Sequence, residues 1–171
     1  MTFNPDIHHR RSIRLKEYDY SAIGAYFVTI CAFQRECLFG DVVNGEMRLN
    51  ECGMIIQDTW DDLPKHYSHV ELDQFVIMPN HVHGIVVLNP VTETSSKRHG
   101  FPEIVRAFKS FSAKHINQLR DNPGCPVWQR NYFERVMRND TDLSKAREYI
   151  VNNPIKWELD KENPANVTDG G

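Results

Sequence analysis

Two apolar runs, Val70 to Met78 and His81 to Leu88, stand back to back with only Pro79-Asn80 between them. Proline and asparagine favour a tight turn, so the runs are expected as two adjacent strands, the second ended by Asn89-Pro90. A chain carrying such a pair has to build a sheet around it. Ala25 to Ala32 (AYFVTICA) is rich in β-branched and aromatic residues and reads as a strand, Val42-Val43 and Met47 to Leu49 flank Gly45 as a small hairpin, and Trp128 to Met137 supplies a further strand.

Helical periodicity fills the gaps. Asn50 is a candidate cap for a helix to Leu63, with Met54, Ile55, Trp60 and Leu63 near helical spacing and Pro64 closing it. From Pro102, the residues Ile104, Val105, Phe108, Phe111, His115 and Leu119 mark one face of a second helix. A third is expected over Asp142 to Asn152, ended by Asn153-Pro154 because a residue before proline avoids the α region. Two βαβ-like halves of this kind predict an α+β sandwich of the ferredoxin-like or RRM-like type, a mostly antiparallel sheet with helices on one side.

A chain of 171 residues is long enough for one domain with a real core, expected here over residues 1–171. Residues 1–24 are expected as a basic arm carrying Arg10, Arg11, Arg14 and Lys16, residues 91–100 as a mobile polar loop, and residues 160–171 as a loose tail. The longest apolar run, around Ile85, falls well short of the roughly 20 residues that span a bilayer, and no signal-peptide core opens the chain; a cytoplasmic protein without a membrane partner is expected. Cys31, Cys37, Cys52 and Cys125 show no CxxC pairing, which argues against a zinc knuckle or a disulfide scaffold and for reduced structural thiols.

The net charge of −3 argues against a uniformly basic nucleic-acid binder, but the charge is uneven. Asp41 to Asp73 holds eight acidic and two basic residues, whereas Lys97 to Arg120 holds six basic and one acidic. Only the second region can meet phosphate. Arg106, Lys109 and Lys114 fall mainly off the apolar face of its helix, either as a phosphate-tracking surface or as an ordinary solvated face. Trp128 and Phe133 are aromatic candidates for stacking on unpaired bases or for burial in the core.

The His81-Val82-His83 triplet lies inside a predicted strand, where residues two apart project from the same face. Two imidazoles so placed can converge on one cation and leave other positions for oxygen ligands, water or substrate. An isolated pair of this kind is more often two surface histidines. Here, however, the flanking runs are apolar, and polar rings buried in a core sheet need a partner.

Tyr149 and Asn153 are four apart on the third helix and share one face. Asn153 falls at the helix C-terminal end, where partial negative charge favours a cation, although it also reads as a plain cap. Tyrosine, with a pKa near about 10, needs a metal or a base to act as a nucleophile at neutral pH. Tyr149 also reads as a core aromatic packing with Leu143 and Ile150.

With these residues in view, the chain resembles the REP-associated tyrosine transposases, a branch of the HUH single-strand transposases. The matching stretches are HRRSIRLKEYDYSAIGAYFVTIC, QFVIMPNHVHGIVVL, IVRAFKSFSAKHIN, VWQRNYFERVMRN and REYIVNNPIKW, in one order from about Arg10 to Leu159. The resemblance implies that His81 and His83 are metal ligands with Asn153 in the place of the third, that the cation is Mg²⁺ or Mn²⁺, and that Tyr149 is the single nucleophile. It further implies cleavage and strand transfer of single-stranded DNA at REP-like hairpins through a 5′-phosphotyrosine and a free 3′-hydroxyl, with no nucleotide cofactor, by a monomer or homodimer. Arg10, Arg11 and Arg14 would then contact the foot of the hairpin. One departure is visible in the tail DKENPANVTDGG, which is acidic and offers no C-terminal nucleic-acid arm. The competing readings are a hairpin-binding module of the same fold that does not cut, and a replication initiator or relaxase, against which the short chain counts.

Overall fold

The computed structural model describes residues 23–90 and 99–166; Arg10, Arg11 and Arg14, nearly all of the expected loop and residues 167–171 lie outside the described residues. The elements in order are β1 (Gly24–Cys31), β2 (Gly40–Val43), β3 (Glu46–Leu49), α1 (Glu51–Asp61), α2 (Leu63–His66), β4 (Val70–Met78), β5 (His81–Leu88), α3 (Phe101–Leu119), β6 (Phe133–Met137) and α4 (Asp140–Val151). Strands β4, β5, β1 and β6 form one sheet in that order, every neighbouring pair antiparallel. This is the ferredoxin-like α+β arrangement. The small β2–β3 hairpin stands apart from it, turning through Asn44 (φ 53°) and Gly45 (φ 77°), two consecutive left-handed residues that match the twist of a tight hairpin.

Met78 pairs with His81, so Pro79 and Asn80 are the whole connection between β4 and β5. Along β1 the side chains alternate. Tyr26, Val28 and Ile30, with Val82, Val86 and Leu88 of β5, pack against Ile56 and Trp60 of α1 and Ile104 and Phe108 of α3. Phe27 and Ile85 face the other way and pack with Ile150, Leu143 and Ala146 of α4. The expectation of helices on one side therefore holds for α1 and α3 and fails for α4. The reason is β5 itself: the strand is apolar and buried on both faces, so both need cover.

Other boundaries differ for local reasons. Pro64 sits in the first turn of α2, where its missing N–H costs nothing, instead of closing α1. Trp128 lies outside the last strand and forms only a single bridge with Ala32; β6 begins at Phe133. α4 starts at Asp140 because Asn139 caps it, its Oδ1 accepting from the Asp142 N–H at 2.8 Å. Residues 160–166, expected within the loose tail, are packed. Glu162 carbonyl accepts from Asn80 Nδ2 at 2.7 Å, its carboxylate meets Arg35 at 3.3 Å, and Asn166 Nδ2 bonds the carbonyls of Glu158 and Asp160. The four cysteines are free thiols, and among the described residues no helix is long and apolar enough to cross a membrane.

Gly84 lets Trp60 lie close against β5. A Cβ there would stand 2.6 Å from the indole and 2.9 Å from the Phe75 ring, and those two rings are themselves stacked at 4.1 Å. Gly84→Val is expected to destabilise the fold by about 1–3 kcal/mol through overpacking, measured as a lower denaturant midpoint at unchanged slope.

Candidate active site

The odd-numbered side chains at the start of β5 lie on the α4 face of the sheet. His81 and His83 are 1% and 4% exposed, and their ring centroids are 4.7 Å apart. Each ring is held through Nδ1: His83 Nδ1 is 2.7 Å from Thr29 Oγ1 and His81 Nδ1 is 2.8 Å from Asn80 Oδ1. Among the described residues neither Nε2 makes a hydrogen bond of good geometry, nor does Asn153 Oδ1, although the Asn153 amide lies near the His81 ring. Asn153 Nδ2 donates to the Tyr149 carbonyl at 3.1 Å, which ties the amide to the end of α4.

Burial disfavours the charged form of both imidazoles. His81 is pushed down to about 4, the Asp160 charge and the nearby Asn153 amide opposing the shift only in part. His83 is held well below the ordinary histidine range by burial and by its neighbour His81. At neutral pH both rings therefore carry lone pairs. Buried polar atoms without partners are costly in a native protein, and two imidazole nitrogens with an amide oxygen suit a divalent cation. Among the described residues no three His, Cys, Asp or Glu side chains gather to hold a metal, so a third protein donor beside the two imidazoles would have to be the Asn153 amide.

Tyr149 is not the core aromatic of α4. Ile150 takes that place, 1% exposed, while Tyr149 is 48% exposed. Its ring sits edge-on to His83 at 5.1 Å and to Phe27 at 6.1 Å, on the wall of a cavity of about 600 Å³ that His81 and His83 also line. α4 is clamped to the sheet by Arg147, whose Nε and Nη2 reach the two carboxylate oxygens of Asp73 at 2.9 and 2.7 Å. Arg147 also holds the Asp73 carboxyl below the usual carboxylate range. Asp73 projects from an irregularity in β4 between Leu72 and Phe75.

The basic candidates divide differently from the expected set. Arg106 and Lys114 are exposed on α3, but that helix covers the opposite face of the sheet from the histidines. Lys109 donates to the carbonyls of Gln129 and Arg130 at 2.8 and 3.0 Å, with burial lowering its pKa, and so braces the approach to β6. The cations that do line the cavity are Arg135, Lys145 and Lys161, beside the acidic Asp142, Asp160 and Glu162. Two of these cations had a signal in the sequence: Arg135 alternates with Phe133 on β6, and Lys145 lies four before Tyr149. Trp128 is buried, its Nε1 donating to Ser112 Oγ at 2.9 Å, whereas Phe133 is 40% exposed and lines the cavity.

Comparison with known proteins bears on this arrangement. Residues 27–153 match the family described as IS200-like transposase. A Haemophilus influenzae protein of unassigned function is 39% identical over 175 residues, covering 93% of this chain and 96% of its own. A second protein from that organism, provisionally named a REP-associated tyrosine transposase, is 26% identical over 143 residues, covering 81% of this chain and 74% of its own. The fold is similar to that of a REP-associated tyrosine transposase solved with a REP hairpin, with a TM-score of 0.58 at 21% identity over 83% of this chain and 74% of that one. It is also similar to a crystal structure of a Deinococcus radiodurans protein provisionally named a transposase, with a TM-score of 0.50 at 19% identity over 81% of this chain and 95% of that one.

The depressed histidines give a pH dependence. Their folded pKa lies below the unfolded value, so the folded state is favoured above about pH 6.5 and loses stability as pH falls towards the His81 value of about 4. In metal-free buffer at pH 5 the cost from one such ring is about 2 kcal/mol, or a fall in Tm of roughly 5 °C. The double variant His81→Gln, His83→Gln should flatten that slope in a melting series from pH 7 to pH 5.

Proposed function

The chain belongs to the IS200-like transposase family, and from that premise we propose that it cuts and rejoins single-stranded DNA at REP-like hairpins through a covalent link to Tyr149. The observation that carries this reading is that Nε2 of His81 and Nε2 of His83, buried and without a hydrogen-bond partner among the described residues, belong to rings that line one cavity with Tyr149, with the Asn153 amide near His81. These three would hold Mg²⁺ or Mn²⁺. Bound there, the cation supplies positive charge against the scissile phosphate, which lowers the cost of charge developing on its oxygens and on the leaving group.

The chain's own groups supply the rest. The Tyr149 hydroxyl oxygen attacks phosphorus and loses its proton to solvent; the bond from phosphorus to the 3′-oxygen breaks, and that oxygen takes up a proton as a free 3′-hydroxyl. The 5′-phosphate stays on Tyr149. Attack by another 3′-hydroxyl reverses the step and joins a new pair of ends, and because the phosphodiester energy is stored in the phosphotyrosine, no nucleotide cofactor is needed. His83 and Phe27 fix the tyrosine ring by edge contacts, and Arg147 keeps its helix against β4.

Arg135, Lys145 and Lys161 are the cations nearest this path, and the exposed Phe133 offers a face for an unpaired base. Arg106 and Lys114 would meet only more distant duplex, and Arg10, Arg11 and Arg14 the foot of the hairpin. The hairpin bound to the similar solved transposase supports the choice of substrate.

The test is incubation with hairpin oligonucleotides taken from DNA flanking the gene, with Mn²⁺, Mg²⁺ or chelator, read as covalent adduct on a denaturing gel. Wild type should form adduct only with metal. Tyr149→Phe, and separately His81→Ala, should drop it below about one-hundredth of wild type. Adduct persisting in Tyr149→Phe would remove the nucleophile assignment, and tight hairpin binding by wild type without any cutting would make the protein a binding module.

A further inference from the structure

Asn80, in the turn between β4 and β5, is 1% exposed, and its carboxamide is fully engaged. Nδ2 donates to the Arg35 carbonyl at 3.2 Å and to the Glu162 carbonyl at 2.7 Å, while Oδ1 lies 2.8 Å from His81 Nδ1. The orientation of this amide is decided by its partners. Two carbonyl oxygens can only accept, so the nitrogen must face them; a flipped amide would set oxygen against oxygen twice. Arg35 presents its carbonyl from a turn in which Gln34 and Arg35 both take left-handed angles, φ 54° and 55°, a conformation that non-glycine residues hold only when their surroundings enforce it.

Since Oδ1 has no proton to give, the hydrogen in its bond to His81 belongs to Nδ1. In the neutral ring the other nitrogen then carries the lone pair, and that nitrogen is the buried Nε2, which has no hydrogen bond of good geometry among the described residues although the Asn153 amide lies near the ring. We propose that Asn80 is a positioning residue that locks His81 in the Nδ1–H form and so keeps Nε2 open as a cation donor. The inference rests on the reading of His81 as a metal ligand. An imidazole in water favours the opposite form, with hydrogen on Nε2, which would turn a hydrogen instead of a lone pair towards the cation. Outer hydrogen bonds of this kind set ligand tautomer and basicity. The lock is assembled from remote chain: its two anchoring carbonyls lie 45 and 82 residues from Asn80. Thr29 cannot give the same certainty to His83, because a hydroxyl both donates and accepts.

Two measurements test this. In metal-free wild type, ¹⁵N-resolved NMR of the histidine rings should show His81 with a protonated Nδ1 and an unprotonated Nε2; hydrogen on Nε2, or a mixture of both forms, would overturn the proposal without any variant being needed. In calorimetric titration with Mn²⁺, Asn80→Leu should bind about 10- to 100-fold more weakly than wild type. A folded Asn80→Leu that binds Mn²⁺ as wild type does would also overturn it. If Asn80→Leu does not fold, the wild-type tautomer decides. Wild type that binds neither Mn²⁺ nor Mg²⁺ would remove the metal centre from the proposed function, while the NMR result would still decide what Asn80 does to His81.

Discussion

The site depends on the burial of β5 from both sides. Val82, Val86 and Leu88 sink into the α1 and α3 layer, and Ile85 sinks under α4, so the two histidines between them are carried out of water by a strand that has no exposed face. Desolvation then does two things at once. It disfavours the charged form of both rings, and it leaves their Nε2 atoms without a well-formed hydrogen bond among the described residues. A pair of imidazoles on a one-sided sheet would be solvated; the same pair on a strand covered on both faces is buried.

The second requirement is a helix that closes over that face without hiding its tyrosine. α4 meets it by dividing labour between neighbours in sequence. Ile150 points down into the cluster with Phe27 and Ile85, Arg147 grips Asp73 at the edge of β4, and Tyr149 is left half-exposed on the cavity between them. The helix ends where Asn153 folds its amide back on the Tyr149 carbonyl, with the side-chain amide near His81. Tyr149 and Asn153 are thus both set by one short helix whose anchoring is apolar on one flank and ionic on another.

Much of this was legible along the chain. Periodicity located the strands, the two main-layer helices and the helix bearing Tyr149, because alternation and helical spacing are local properties of a sequence. The apolar surroundings of His81-Val82-His83 also marked the pair as buried. The errors came where a local signal had a distant cause. Pro64 reads as a stop but opens a new turn; residues 160–166 read as a tail because their composition is polar, whereas Asn80 and Arg35 hold them in place. Lys109, read from the sequence as a phosphate contact or a solvated side chain, also donates to the carbonyls of Gln129 and Arg130, which no local pattern announces.

The sequence by itself determined which residues could do chemistry and on which elements they stand: two histidines on one strand face, a tyrosine and an asparagine on one helix stripe. It could not determine that the strand face and the helix stripe meet. That contact joins segments 66 residues apart, His83 to Tyr149, and it follows from α4 covering the second face of β5 instead of joining the other helices. Nor could any local pattern show that the Asn80 amide oxygen lies against His81 Nδ1. The tertiary structure decided both, since orientation, burial and hydrogen-bond partnership are properties of surroundings that only the folded chain assembles.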